Sequence, residues 1–486
     1  MSTQGTPGKQ PGNRPFFYAP DAEAEILAGN SSRIYCVGIC GTGLSALALF
    51  LAGRGHTVTG SDDRTDYYPW RSLQEAGITV EEGFHRRFGS RADADLLLYS
   101  AAYDPRIHPQ LLSAQKAGVP LLSYPEALSR LSGCFHNICV AGTHGKTTTA
   151  MMIYLGLQQA GIEASPLFGV PAPQSRASYP VLVIEACEYR EHFLMYYPEY
   201  AVITSVDYDH VDVYPDRFSY RKAFQSFAAN TQKTLVVSGE DADIPLDVAS
   251  SLMTYGAAEG FAYRAVKSGT GSGEPQRYMF LPWELESTFF VPGDHIASDA
   301  LAALLAVYAF LTNARGKEPE KNELAHILKG ISSYRGALRR SEVMGTAAGI
   351  LFMDDYAHHP AEIRAMFQGL RQRYPDKRIV ADFIPHTVSR TRSFFSEFTQ
   401  SLSLADVLCI QEIYPSQREQ HAGDPLSSAE LAACIPGARF FSSYQSAYEF
   451  LLRSLQSNDL FITMGAGDNR FLGVRLLDAF NKRNYP

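Results

Sequence analysis

Val140-Ala-Gly-Thr-His-Gly-Lys-Thr-Thr-Thr149 is the stretch on which the reading of this chain turns. An apolar run ending at Val140 predicts a strand, Gly142 and Gly145 permit a tight backbone turn, and Lys146-Thr147 open an apolar helix through Ala150-Met-Met-Ile-Tyr-Leu155. Such a turn aims successive N–H groups and a helix N-terminus at one spot, where an anion is stabilised. Lys146 would then reach the outer phosphates of a nucleotide, and the Thr147 hydroxyl would hold Mg2+. An ordinary P-loop carries a glycine where this chain has Val140, so the loop is a shortened one.

Working outward, strands and helices alternate along the chain as in doubly wound α/β folds. With 486 residues the chain exceeds what one core supports, and about three domains are expected. The expected organisation is a disordered leader over 1–30 and a Rossmann-like domain over 31–133. A central P-loop ATPase-like domain with a mostly parallel sheet follows over 134–336, with a hinge near 332–340. A C-terminal Rossmann-like domain closes the chain over 337–486. In the first domain, Arg33-Ile-Tyr-Cys-Val-Gly38 reads as a strand, Leu44 to Gly53 as a helix and His56 to Asp62 as the next strand. In the second, the last helix is expected after Pro292-Gly293. The third opens with the strand Gly349 to Asp354.

Apolar residues make up 45% and charged residues 19%, which fits a globular enzyme and excludes a disordered or fibrous chain. A net charge of -8 argues against a general nucleic-acid binder. The seven cysteines are odd in number and widely spread, with no close pair, which reads as a reduced cytoplasmic protein without a structural zinc site. The first thirty residues lack the apolar core of a signal peptide, and the longest apolar run, Ala300 to Leu311, is too short for a bilayer span. No membrane anchor is expected.

Several strand ends carry chemistry. Gly38-Ile-Cys-Gly41-Thr-Gly43-Leu-Ser45, with Asp62 ending the next strand, suits a nucleotide-diphosphate site. Cys40 replaces the middle glycine of the NAD fingerprint, which favours a UDP-type ligand over NAD. A ligand-free structural turn is the alternative. Glu185-Ala-Cys-Glu188 and Ser205-Val-Asp-Tyr-Asp-His210 end strands beside the phosphate loop, so Glu185 and His210 could reach a metal near the phosphates. Asp354-Asp-Tyr-Ala-His-His-Pro-Ala-Glu-Ile363 concentrates two carboxylates and two imidazoles at a helix start, which is costly for packing alone, although a solvated capping turn would also explain it. Pro385-His386 with Arg390-Thr-Arg392 forms a cationic cluster suited to carboxylate or phosphate. Arg339-Arg340 lies at the expected hinge.

Together these segments, with Pro292-Gly-Asp-His295 and Met464-Gly-Ala-Gly-Asp468, resemble the Mur ligases of peptidoglycan synthesis over about Arg33 to Gly467, and most closely their alanine-adding branch. The resemblance implies ATP-dependent joining of L-alanine to the carboxylate of UDP-N-acetylmuramate through an acyl phosphate. It assigns Gly41, Gly43, Ser45 and Asp62 to the UDP-sugar. It assigns Gly142, Thr143, His144, Gly145, Lys146, Thr147, Thr148, Arg340 and Asp355 to ATP, and Thr147, Glu185 and His210 to Mg2+. His358, His359, His386 and Arg390 face the muramoyl carboxylate and amino acid, and Lys146, Glu185, His210, Arg340 and His359 form the catalytic set. It further implies a monomer or weak homodimer with small-molecule substrates.

Four positions depart from the family pattern. Two places usually held by Asn after the Pro-Gly-x-His turn are Ile296 and Asp299, and the Asn before the Asp-His pair is Ser205. Gln225 stands where several members carry a carbamylated lysine. The competing readings are a recycling ligase that uses a murein tripeptide, a nucleotide-binding homologue without ligation, and, more remotely, an NAD oxidoreductase.

Overall fold

Continuous apolar runs make fully buried parallel strands, and three sheets are built from them. In the computed structural model of the chain, residues 21–483 are described apart from 64–67, 171–173, 175–179, 242–250, 270–272, 415–426, 466 and 468. The first sheet contains β1 (Arg33–Val37), β2 (Thr57–Asp62), β3 (Thr79–Glu82), β4 (Leu96–Tyr99) and β5 (Leu121–Ser123), all parallel, in the order β3-β2-β1-β4-β5. The second contains β6 (Asn137–Ala141), β7 (Ala164–Leu167), β8 (Val181–Glu185), β9 (Tyr200–Ile203), β10 (Thr234–Ser238) and β11 (Ser251–Tyr255), again parallel, in the order β11-β10-β9-β6-β8-β7. A small antiparallel sheet of β12 (Arg264–Lys267), β13 (Gln276–Leu281) and β14 (Leu285–Phe289) follows it.

The third large sheet contains β15 (Glu342–Ala347), β16 (Ile350–Asp355), β17 (Arg378–Ile384), β18 (Val407–Gln411), β19 (Arg439–Phe441) and β20 (Asp459–Gly465). Its order is β15-β16-β20-β17-β18-β19, parallel except for β15, which pairs antiparallel with β16. Active groups therefore gather where the C-terminal ends of parallel strands meet helix starts, as in open α/β sheets generally. β6 and β9 are hydrogen-bonded neighbours in the centre of the second sheet, with β8 on the other side of β6. That places the phosphate loop between Glu185 and the segment leading to His210.

The helix Asp294–Arg315 is the backbone of the second core. It starts at Gly293 (φ 111°) with Asp294 in its first turn and ends at Gly316 in the left-handed region (φ 68°). Its alanine-rich faces allow close packing against the helices Lys146–Gln159 and Lys321–Ile331. Among the described helices it alone is long and apolar enough to cross a membrane, with mean hydropathy 1.6, yet 78% of that window is buried inside the fold. Its composition reflects core packing.

The structure departs from the sequence expectations in four places. Residues 22–28, expected within a disordered leader, form the helix Ala22–Ala28, capped by Asp21, with Ala24 and Leu27 fully buried. The Arg130–Asp21 ion pair (3.1 Å) ties its start to the first domain. Two apolar residues three apart sufficed to dock a short helix, and no sequence period marks so brief an element. Residues 1–20 lie outside the described residues, as does Asp468. The edge strands β3 and β15 were not anticipated, being half-exposed and without an apolar run. The last helix of the central unit is Lys321–Ile331, one beyond the helix that follows Pro292-Gly293.

Candidate functional site

The phosphate loop forms a tight turn after β6. Gly145 caps the helix Lys146–Gln159 in the left-handed region (φ 75°), and Gly142 sits at φ 138°, where a side chain would collide with the Thr204 hydroxyl. The Thr143 hydroxyl donates to Asp207 O (2.6 Å) and meets the Tyr220 hydroxyl (2.8 Å), while the His144 N–H donates to Ser205 Oγ (2.9 Å). The loop is thus pinned to the segment after β9. Lys146 Nζ donates to the Gly142 carbonyl and makes an ion pair with Glu188 Oε2 at 2.9 Å. Burial disfavours both charges, but each outweighs that for the other: the Lys146 pKa stays above its ordinary value. Glu188, which also meets His210 Nε2 at 3.1 Å, is held down to about 2.

Thr147 Oγ1 donates to Glu185 Oε2 (2.9 Å). Mg2+ accepts few protein ligands and completes its octahedron with phosphate and water oxygens, so a hydroxyl and one carboxylate beside a phosphate loop fit it chemically. His210 is held against Glu188 (3.1 Å) and the Tyr189 ring (5.1 Å), with its backbone in the left-handed region (φ 51°). Among the described residues no group of three or more His, Cys, Asp or Glu is arranged to hold a metal.

Two large cavities flank the loop. One, of about 600 Å3, is lined by Gly38, Cys40, Asp62 and Tyr103 of the first domain, Thr147 and Glu185 of the second, and Arg340 and Tyr356 of the third. The other, of about 300 Å3, is lined by His144, Gly145, Thr148, Asp299, Arg340 and Asp355 among others. Arg340 lines both. It follows Arg339, whose left-handed backbone (φ 61°) and buried guanidinium fix the linker. Arg339 Nε donates to Asp354 Oδ2 (3.2 Å) and its Nη atoms donate to the carbonyls of Gly467 (2.7 Å) and Gly465 (3.0 Å). Asp355 accepts N–H bonds from Ser341 (2.6 Å) and Ala357 (2.7 Å), so its carboxylate also shapes the linker.

A third cavity of about 410 Å3 joins Gly41, Thr42, Gly43 and Leu44, at the start of the helix Thr42–Gly53, to Glu185, Tyr189, Arg190 and His192. Asp62 Oδ2 accepts the Cys40 N–H (2.8 Å) and so shapes the glycine turn. Ser45 is buried, donates to Thr42 O (3.0 Å) and lines none of these cavities.

The C-terminal histidines gather on the central domain. Arg390 makes a two-pronged pair with Asp209 (Nε–Oδ1 and Nη2–Oδ2, both 2.8 Å) and its Nη1 meets His386 Nδ1 at 2.7 Å. The His386 ring lies 5.2 Å from that of His358. Burial pushes His358 down to about 3 and His359 down to about 4, so both imidazoles are neutral at physiological pH. His359 caps the helix Pro360–Arg373 and packs 4.8 Å from His144. His144 lies between Asp207 (3.1 Å) and Glu362 (3.2 Å). Burial opposes its charge, but the two carboxylates win and raise its pKa to about 9.

Glu188, Asp209 and Glu362 are the groups that sequence reasoning quoted but gave no role. Each pairs with a residue distant in sequence, and no spacing rule announces such a pairing. The signal available was charge density beside Glu185, His210 and His358. Asp299, expected as a departure near the base, lies against Gly145, where any side chain on that glycine would meet Asp299 Oδ1 at 2.5 Å. Burial pushes its carboxyl up to about 7.

A shortened phosphate loop set between a first-domain cavity and a nucleotide-sized cavity, under an arginine from a third domain, defines a class: three-domain enzymes that join two substrates using a nucleotide. The chain belongs to the Mur ligase family. Its residues 33–136 match the Mur ligase family catalytic domain, 140–307 the Mur ligase middle domain and 339–467 the Mur ligase glutamate ligase domain. It is 34% identical over 472 residues to the UDP-N-acetylmuramate–L-alanine ligase of Treponema pallidum strain Nichols, covering 93% of this chain and 97% of that one. It is 35% identical over 480 residues to the enzyme of that name from Chloroflexus aggregans, covering 92% and 98%. Among solved structures, UDP-N-acetylmuramate-alanine ligase from Thermotoga maritima superposes with a TM-score of 0.75 at 26% identity, covering 93% of this chain and all of that one. A murein peptide ligase from Psychrobacter arcticus shares the fold (TM-score 0.66, 24% identity, 93% and 99% covered).

Proposed function

We infer that this chain is an ATP-dependent amide-forming ligase that joins L-alanine to the carboxylate of UDP-N-acetylmuramate, releasing ADP and phosphate, in cytoplasmic peptidoglycan precursor synthesis. The observation that carries this reading is Arg340 lining both cavities on either side of the phosphate loop. A carboxylate entering from the first-domain side would meet the γ-phosphate of a nucleotide held on the other.

The substrate carboxylate oxygen attacks the γ-phosphorus and the bond to the bridging oxygen breaks, giving an acyl phosphate and ADP. The alanine nitrogen then attacks the acyl carbon, the tetrahedral intermediate expels phosphate, and the nitrogen loses its proton. Two anions must approach in the first step, so Lys146 and Arg340 offset their repulsion and the charge spread over the transferring group. Thr147 and Glu185 would hold Mg2+, which supplies further neutralisation of phosphate charge. Closure of the third domain through Asp209–Arg390 and His144–Glu362 orients the reactants and keeps water from the acyl phosphate.

Phosphate release from ATP with UDP-N-acetylmuramate, compared across L-alanine, glycine, L-serine and a murein tripeptide, tests this. Release with L-alanine is expected. Release only with the tripeptide would replace the reading by that of a recycling ligase, and none with any acceptor would remove ligation.

A further inference from the structure

The cavity between the first and central domains contains one permanent cation among the described residues that line it, Arg190. Its position is unusual. Arg190 and Glu191 are consecutive non-glycine residues in the left-handed region (φ 52° and 57°), a conformation that L side chains rarely adopt. The surroundings hold it there. The Glu191 N–H donates to Glu188 O (2.9 Å), the Tyr189 hydroxyl donates to Asp212 Oδ2 (3.0 Å), and the Phe193 N–H donates to Cys187 O (3.2 Å). Phe193 is fully buried and stacks on Phe227 at 4.9 Å. The strained pair therefore sits in a rigid frame, and Arg190 itself is exposed, with its guanidinium 5.5 Å from the Tyr189 ring.

Across the cavity stands the start of the helix Thr42–Gly53, capped by Gly41, whose first N–H groups have no partner within the helix. A helix start and a guanidinium facing one space favour an anion between them. The sugar nucleotide brings two kinds of anion. Its reacting carboxylate must lie beside the phosphate loop, where Lys146 and Arg340 already supply cations. The diphosphate is left for the glycine turn, and the cavity of about 410 Å3 is where the turn and Arg190 meet.

We propose that Arg190 is a binding residue for the diphosphate of the sugar nucleotide, completing from the central domain a phosphate site that the Gly41–Leu44 turn begins in the first. This rests on the sugar-nucleotide reading above. It makes substrate binding bridge two domains, so that the phosphates set the angle at which the sugar enters the reaction site.

Calorimetric titration of the full chain with UDP-N-acetylmuramate, UDP, uridine and ADP tests it, using wild type, Arg190→Ala and Arg190→Lys. Loss of a charge-assisted contact predicts that Arg190→Ala weakens UDP and UDP-N-acetylmuramate alike by about tenfold or more, with uridine and ADP unchanged and Arg190→Lys recovering part of the loss. In turnover, KM for the sugar nucleotide rises while kcat at saturation holds. Unchanged ADP binding shows that the variant is folded. Equal UDP affinity in wild type and Arg190→Ala overturns the proposal, as does weakening confined to UDP-N-acetylmuramate, which would assign Arg190 to the sugar or its carboxylate. Wild type binding no uridine nucleotide would instead overturn the functional reading itself.

Discussion

At the scale of the residue, Lys146 and Asp299 show how one loop is tuned by groups on opposite sides. Lys146 is held by Glu188 and the Gly142 carbonyl, within reach of the helix start it opens. Lys146→Ala is expected to abolish phosphate release while leaving UDP-N-acetylmuramate affinity within about twofold, because the UDP part is held at the glycine turn, away from Lys146. Equal loss of both would mean the sites are not divided as described. Asp299 is buried behind Gly145, and burial, outweighing the pull of the Thr149 hydroxyl, His144 and Arg340, raises its carboxyl to about 7. Its ionised form would repel incoming phosphates, so ADP affinity should fall as pH rises through about 7, and Asp299→Asn should remove that fall. The sign for stability is the same. A carboxyl raised above its ordinary value stabilises the folded state at acid pH, and that contribution is lost as pH rises through the folded pKa. A wild-type and an Asn variant with parallel pH profiles for ADP binding would refute this. Lys146, Glu185 and Asp355 were legible in sequence because each ends a strand or opens a helix. Glu188 was not, since only its contact with Lys146 gives it a role.

At the scale of the element, the helix Pro360–Arg373 carries its own capping box and also a latch. The Glu362 carboxylate accepts the His358 N–H (3.1 Å) while meeting His144 of the phosphate loop and, at 3.9 Å, Arg340. Burial would raise its pKa, but His358, His144 and Arg340 hold it well below the carboxylate range. Glu362→Gln keeps the shape of the cap and removes the charge. We expect the His144 pKa to drop from about 9 toward its ordinary value, read by NMR titration, and KM for ATP to rise about three- to tenfold. In wild type the His144 contribution to stability is complete below its ordinary pKa and lost as pH rises through about 9. An unchanged His144 titration in the variant would show that Glu362 is not its partner. The helix start itself was legible from His359-Pro360, whereas the edge strand β15 was not, because it lacks an apolar run.

At the scale of the whole molecule, Arg390 and Asp209 form a buried two-pronged contact between the third domain and the second. Truncating one partner of such a pair strands a charge and typically costs about 3–5 kcal/mol. Arg390→Ala is expected to lower stability to denaturant by that order and to expand the particle in X-ray scattering, with kcat falling because closure is lost. Arg390→Lys, keeping the charge without the fork, should restore part of both. A variant as compact and stable as wild type would show that the domains are held together elsewhere. The family's three-domain order was readable from the alternation of strands and helices, but which faces meet was not.

Local chemistry can be written in a linear chain. The glycine positions of the phosphate loop, the apolar strands before it and the helix after it follow from backbone sterics and burial, so the α/β class and the places of Lys146 and Thr147 at a helix start and of Glu185 at a strand end were determined by sequence alone. Which cation meets which anion depends on groups brought together across domains, because electrostatic pairing decays with distance in space and takes no account of separation along the chain. The tertiary structure therefore decided that His144 is charged between Asp207 and Glu362, that Arg340 serves two cavities, and that Arg190 faces the glycine turn of another domain.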